Sequence, residues 1–104
     1  MASYIFAYHG GKPPQNPEEG AKFMARWRAW ASDLGGAMTN PGTVLGKSKT
    51  VGEGGVSDNG GSNPLSGFSI VTADSMEAAL EMARQCPHIE HGTIEVAEVR
   101  QMPS

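Results

Sequence analysis

The sequence predicts an α+β domain whose strands and helices follow the order β-α-β-β-α-β. Three observations carry this prediction. A short run of aromatic and β-branched residues at 4–8 is typical of a strand. Large apolar residues recur at helical spacing between 23 and 34. The segment 67–99 contains a strand, a capped helix and a second strand in succession. The chain of 104 residues is therefore predicted to be one domain with a single modest core.

The first helix is predicted from its start signals and its apolar stripe. Asn16 offers an N-cap, and Pro17 occupies the first helical position, where its missing N–H has no cost. Gly35 and Gly36 end the helix. The stripe is spaced at i, i+4, i+7 and i+11, which is more typical of a core face than of a ligand wall, and consists of Phe23, Trp27, Trp30 and Leu34.

The remaining elements are predicted in the second half of the chain. A second strand is expected over 43–51, followed by a Gly-rich loop at 52–67 that is either a mobile lid or disordered. The third strand covers 68–73 and the fourth covers 93–99. Between them, a helix ends near Cys86 because Pro87 disfavours helical backbone before it. Asp74 is its predicted N-cap, and Glu77 is the N3 residue that completes the capping box. Its predicted core-facing residues are Met76, Ala79, Leu80 and Ala83.

This order of elements is that of the ferredoxin-like split βαβ fold, an antiparallel sheet with both helices on one face. In a monomer of this kind the other face meets water. Here both faces of the first strand are apolar, since Tyr4 and Phe6 alternate with Ile5 and Ala7. We therefore expect the second face to be covered by the sheet of another copy, in a homodimer.

Composition excludes several classes of function. The net charge of −3 and the scattered Lys and Arg residues provide no electrostatic basis for binding nucleic acid. No segment approaches the roughly 20 apolar residues of a membrane span. The chain has one cysteine, and its N-terminus lacks the charged and apolar regions of a signal peptide. These features favour a cytoplasmic location without nucleic-acid or membrane partners.

The chain resembles the YCII-related family, which includes the DGPF-domain proteins. The resemblance covers essentially the whole chain and depends on the order of several segments. These are the Tyr-Ile-Phe-Ala-Tyr strand, the Trp-x-x-Trp helix at 27–30, the Asn-Pro-Leu-Ser-Gly-Phe-Ser-Ile-Val-x-Ala-Asp-Ser segment at 63–75, and Cys-Pro at 86–87 before Gly-Thr-Ile-Glu-Val at 92–96. The resemblance implies a dimeric ferredoxin-like α+β barrel with a cavity.

Some members of this family are proposed enzymes that use a His-Asp pair, with the histidine in the first helix. This chain departs from that pattern. Its first helix contains no histidine, and Met24 lies near the corresponding position. The Asp-Gly-Pro-Phe signature is also absent, because the loop contains Ser-Asp-Asn-Gly-Gly-Ser-Asn-Pro-Leu-Ser at 57–66. Both differences weaken a transfer of catalytic function.

The candidate catalytic residues are His9 and Asp58. His9 follows the first strand on the face of Ile5 and Ala7, where it is placed to line a barrel cavity as a base or a polar anchor. The alternative is a strand-end histidine that bonds a loop carbonyl. Asp58 lies in the Gly-rich loop, which is able to carry a carboxylate to the cavity if it closes as a lid.

Two further residues are candidate ligand contacts, Ser69 in the third strand and His88 after the second helix. His88 and His91 flank Glu90, but two imidazoles lack the third ligand of an open zinc site, so we predict no metal and a solvated turn there. No cofactor is indicated. The main hypothesis is a protein that binds a small molecule in a barrel cavity. The alternative is an enzyme of the lyase or isomerase type with His9 as general base.

Overall fold

The computed structural model describes residues 2–11, 15–61 and 63–100. Six strands and two α-helices are present in these residues, together with 3₁₀ helices at Gly35–Ala37 and Pro87–Glu90. In chain order the strands and helices are β1 (Ala2–Gly10), α1 (Pro17–Leu34), β2 (Met38–Val44), β3 (Thr50–Gly52), β4 (Gly55–Ser57), β5 (Leu65–Ala73), α2 (Met76–Arg84) and β6 (Gly92–Val99).

Four strands form an antiparallel sheet in the order β2-β5-β1-β6. The first strand lies at the centre, where Ile5 is opposite Ile70 of β5 and Ala97 of β6. With the short β3–β4 hairpin set aside, the elements follow the order β-α-β-β-α-β. The predicted ferredoxin-like α+β fold is confirmed.

The core lies between the sheet and the two helices. Phe6 and Val71 are completely buried on the sheet face that the helices cover. The Trp30 ring of α1 stacks on Phe6, with ring centroids 6.3 Å apart. Its indole N–H donates to the backbone oxygen of Met82 at 2.9 Å, which ties α1 to α2. Trp30 therefore stabilises the helical layer through packing and through a satisfied polar group.

The second strand lies earlier in the chain than the sequence predicts. It covers Met38–Val44 instead of 43–51. Its pairing with β5 is irregular between Met38 and Asn40 and between Asn40 and Thr43. Because β2 is an edge strand, such irregularities and an internal proline are tolerated there. The prediction was wrong since Pro41 and Gly42 are typical of turns and gave no sign of a strand.

The second helix begins one residue later than predicted. Ser75, and not Asp74, is the N-cap, and its side chain accepts a hydrogen bond from the Ala78 N–H at 3.1 Å. Both residue types are good N-caps, so the sequence does not separate them. Ala79 and Ala83 are buried as expected, whereas Leu80 is 37% exposed. Small residues on this face let α2 approach the sheet closely.

The segment predicted as a loop at 52–67 contains regular structure. β4 and the start of β5 lie within it, and β4 pairs with β3 in a hairpin where Val51 is opposite Val56. Within the described residues, no helix has the length and apolar character that a membrane span requires.

Candidate functional site

A cavity of about 340 Å³ lies beside α1, on the sheet face that the helices cover. It is bounded by α1, by the paired ends of β2 and β5, and by the 3₁₀ helix after α2. Its lining residues are predominantly aromatic, aliphatic or glycine: Tyr8, Phe23, Met24, Trp27, Gly42, Thr43, Val44, Ser66, Gly67 and His88.

Aromatic rings form one side of this cavity. The Tyr8 ring meets the Trp27 ring edge to face, with centroids 5.1 Å apart, and the His88 ring at 5.2 Å. Phe23 extends the wall, since its ring lies 6.1 Å from that of Trp27. The helical stripe predicted as core is therefore divided: Trp30 is in the core, whereas Phe23 and Trp27 also line the cavity.

Two glycines open the wall formed by the strands. Gly42 has a positive φ of 144°, and a Cβ there would lie 3.6 Å from both Ser69 Oγ and Trp27 Nε1. At Gly67 a Cβ would lie 2.7 Å from the backbone oxygen of Thr43, closer than such atoms approach. These positions therefore let β2 and β5 pair closely at the cavity without filling it.

Beneath the lining lies a buried polar contact. The Tyr8 hydroxyl donates to Ser69 Oγ at 2.6 Å, and Ser69 is fully buried. Burial raises the pKa of Tyr8 well above its ordinary value of 10.0, so the phenol stays neutral and acts as a donor. Ser69, predicted as a ligand contact, therefore contacts Tyr8 one layer below the lining residues.

Cys86 is buried beside this contact. Burial raises the pKa of its thiol from 9.0 to about 11, although a hydrogen bond from the backbone of His88 opposes the shift. A thiol with this pKa carries little thiolate at neutral pH and is a poor nucleophile.

His88 is buried against the end of β1, and its side chain lines the cavity. The ring nitrogen Nε2 lies 2.9 Å from the backbone oxygen of His9 and must donate to it, because a carbonyl only accepts. Gly92 makes this approach possible, since a Cβ there would lie 2.7 Å from Nε2. The solvated turn expected at 88–91 is therefore wrong for His88 itself. Sequence spacing gave no sign of this contact across 79 residues.

The His9 side chain lies on the other face of the sheet, away from these lining residues. Its Nδ1 lies 2.9 Å from the Asn63 backbone oxygen and its Nε2 lies 3.1 Å from Glu95 Oε1. Both neighbours accept hydrogen bonds, so the ring satisfies both only as an imidazolium ion. In that state it has no lone pair with which to remove a proton.

Asp58, the predicted partner of His9, does not contact it. It follows β4, its side chain is 92% exposed, and its carboxylate lies 3.6 Å from Lys49 Nζ. The carboxylate within reach of His9 is Glu95 on the adjacent strand β6. Alternation along each strand does not predict this contact, because the register between β1 and β6 decides which of their residues share a sheet face.

A second cavity of about 460 Å³ adjoins the first, and the two share Phe23 and Met24. On its wall, both terminal guanidinium nitrogens of Arg26 donate to the two carboxylate oxygens of Glu90. This pair connects α1 to the 3₁₀ helix that carries His88. Among the described residues, no group of three or more histidine, cysteine or acidic side chains is placed to hold a metal ion.

A solved structure and a family model both match this chain. Among solved structures, the chain is similar to the 5-chloro-2-hydroxyhydroquinone dehydrochlorinase TftG of Burkholderia phenoliruptrix AC1100, in complex with 2,5-dihydroxybenzoquinone. The TM-score is 0.59 at 15% identity, and the match covers 98% of this chain and 96% of that one. No curated protein matches the sequence. The model of the YCII-related domain matches residues 5–103, so the chain belongs to the YCII-related family.

Proposed function

We propose that this protein binds a small, largely apolar ring compound in the cavity between α1 and the sheet. The observation that carries this proposal is the wall of Tyr8, Phe23 and Trp27 around a space of about 340 Å³. That volume lies within the roughly 300–1,000 Å³ of small-molecule sites, which are mostly apolar with a few polar groups. Each aromatic contact with a bound ring contributes about 0.5–1.5 kcal/mol beyond the burial of apolar area.

The flexible Met24 side chain and the buried His88 complete the arrangement. Met24 is 48% exposed at the mouth of the cavity, where its thioether is able to adapt to a ring. His88 is the titratable imidazole among the lining residues and serves as the polar anchor. Because the first helix contributes Met24 and no histidine here, the arrangement favours binding over catalysis.

The similarity to TftG supports a ring-shaped ligand for this architecture. That protein is in complex with 2,5-dihydroxybenzoquinone, a single six-membered ring with polar substituents. At 15% identity the likeness concerns the fold. The specific ligand of this chain therefore depends on its own lining residues.

The test is calorimetric titration with naphthol, a neutral bicyclic ring that suits the cavity. Met24→Trp introduces an indole at the cavity and should weaken naphthol binding by about tenfold or more. Leu80→Trp is the matched control, since Leu80 is also a partly exposed helical residue but lies on α2. Equal binding by the Met24→Trp variant and the wild-type protein, or no binding by the wild type, would contradict the proposal.

A second candidate function is an enzyme of the lyase or isomerase type with His9 as base. The observation that favours it is the carboxylate of Glu95, 3.1 Å from His9 Nε2, together with the dehydrochlorinase activity that the name of TftG describes. His9 would act only after one of its two hydrogen bonds opens. The test is chloride release from 5-chloro-2-hydroxyhydroquinone. Release by the wild type that is lost in His9→Gln supports this function, and the absence of release excludes this substrate.

We also propose that two copies pair through the sheet face opposite the helices. Its central positions carry apolar side chains from three strands, namely Ile5, Ala7, Phe68, Ile70, Ala97 and Val99. Val99 is 48% exposed in the single chain. An apolar sheet face of this kind is stabilised when a second copy covers it.

A further inference from the structure

We propose that the cavity selects neutral ligands that donate a hydrogen bond, such as hydroxylated aromatic rings, and discriminates against carboxylates and against ethers of the same shape. This inference rests on the proposed function and adds the ligand class. It follows from the direction of the hydrogen bonds that the hydroxyl groups and the imidazole around the cavity make, which leave these groups with acceptor lone pairs.

The hydroxyl hydrogens of the lining residues are committed to protein acceptors. Tyr8 donates to Ser69 Oγ at 2.6 Å, and Ser66 donates to the backbone oxygen of Tyr8 at 3.0 Å. Thr43 donates to Asn40 Oδ1 in a longer contact of 3.5 Å. A hydroxyl that has donated its hydrogen still has lone pairs, so these groups are able to accept from a ligand.

The imidazole of His88, like these hydroxyl groups, donates to the protein and keeps an acceptor. Its Nε2–H donates to the backbone oxygen of His9 at 2.9 Å, which fixes the tautomer of the neutral ring. The remaining nitrogen, Nδ1, is then an acceptor. Gly11 lies beside this edge of the ring, where a Cβ would be 3.4 Å from Cε1 and 4.0 Å from Nδ1. A glycine there leaves this edge of the ring uncrowded.

The absence of charged side chains among the described lining residues also favours a neutral ligand. None of the described lining residues is a lysine, an arginine or an acidic residue. An anion that enters the cavity would lose hydration without gaining a cationic partner, which carries a large free-energy cost. A neutral hydroxyl loses less hydration and recovers a hydrogen bond at His88 Nδ1. A methyl ether of the same ring has no hydrogen to donate and leaves that nitrogen unsatisfied.

The experiment compares three probes of one shape, naphthol, its methyl ether and naphthoate, by calorimetry at slightly alkaline pH. We expect naphthol to bind at least about tenfold more tightly than either of the others. The His88→Phe variant keeps a planar ring but has neither ring nitrogen, so it loses the ring acceptor. Its preference for naphthol over the ether should be smaller than that of the wild type.

A spectroscopic measurement on the wild type avoids dependence on a variant that fails to fold. Long-range ¹H–¹⁵N NMR spectra should show His88 with Nε2 protonated and Nδ1 unprotonated, both free and with naphthol. A protonated Nδ1, or equal affinity for naphthol and its ether, would overturn the ligand class while the binding function stands. If none of the three probes binds, the proposed function fails and this inference fails with it.

Discussion

The imidazole of His88 and the backbone oxygen of His9 are joined by a hydrogen bond of 2.9 Å that passes from the segment after α2 to the end of β1. The two histidine side chains nevertheless lie on different sides of the sheet. His88 lines the cavity under α1, whereas His9 contacts Asn63 and Glu95. Although the two residues are in contact, only the His88 side chain is available to a ligand in this cavity, and the His9 side chain is not.

Gly92→Ala should disrupt this contact. A Cβ at Gly92 would collide with the His9 backbone oxygen and approach His88 Nε2 to 2.7 Å, so β1 and β6 must separate locally. We expect the free energy of unfolding to fall by about 1–3 kcal/mol, the cost of overpacking in a tight site. Urea denaturation measures this change. Gly36→Ala, which meets no atom within 4 Å, is the control and should change stability little.

Ser75→Ala should destabilise the protein more than Asp74→Ala. The Ser75 side chain accepts from the Ala78 N–H at 3.1 Å, and its loss leaves that donor of the first helical turn without its cap. Loss of an N-cap costs about 1 kcal/mol. Thermal and urea denaturation of the two variants provide the comparison. Equal destabilisation by both substitutions would contradict the assignment of Ser75 as the cap.

The scaffold was predictable from the sequence wherever its signals are local. The alternation in β1, the stripe of α1 and the Pro87 boundary all depend on residues close together in the chain. The prediction of the bounds of β2 was wrong because this irregular edge strand contains Pro41 and Gly42 and so has the composition of a turn.

The site was less predictable, because it is assembled from distant segments. Tyr8 and Ser69 are 61 residues apart, and His9 and His88 are 79 apart. Their contacts follow from sheet order, which single-residue patterns do not contain. The sequence predicts His88 as a ligand contact but does not predict its burial. It predicts Asp58 as the partner of His9, whereas the neighbouring strand supplies Glu95.

Stability should fall at alkaline pH. The pKa of Cys86 is raised from 9.0 to about 11 in the folded protein, so between these values the unfolded chain releases a proton that the native state retains. The free energy of unfolding therefore decreases as pH rises from 9 to 11, by at most about 1.4 kcal/mol for each pH unit from this group. Burial of Tyr8 adds a decrease in the same direction above its ordinary pKa of 10.0.

Urea denaturation across this pH range, in the presence of a reductant, measures the effect. Cys86→Ala should have a shallower decrease than the wild type between pH 9 and pH 11. A steeper or equal decrease in the variant would show that the thiol is not the group responsible.

Ile70→Lys should dissociate the proposed homodimer. Ile70 lies opposite Ile5 in the middle of the sheet face that the helices leave open, so a lysine there places a charge inside the interface. Light scattering should give twice the chain mass for the wild type and the chain mass for the variant. Val51→Lys, in the exposed β3–β4 hairpin, is the control and should remain dimeric. A monomeric wild type at micromolar concentration would contradict the dimer.

The most direct test of the binding proposal is to locate naphthol by intermolecular NMR contacts between its ring protons and assigned methyl groups. Binding in the cavity predicts contacts with the Met24 and Val44 methyl groups, which line it, and none with Ile5 or Ile70. Contacts with Ile5 and Ile70 instead would place the ligand on the opposite sheet face, beside His9, and would contradict the account.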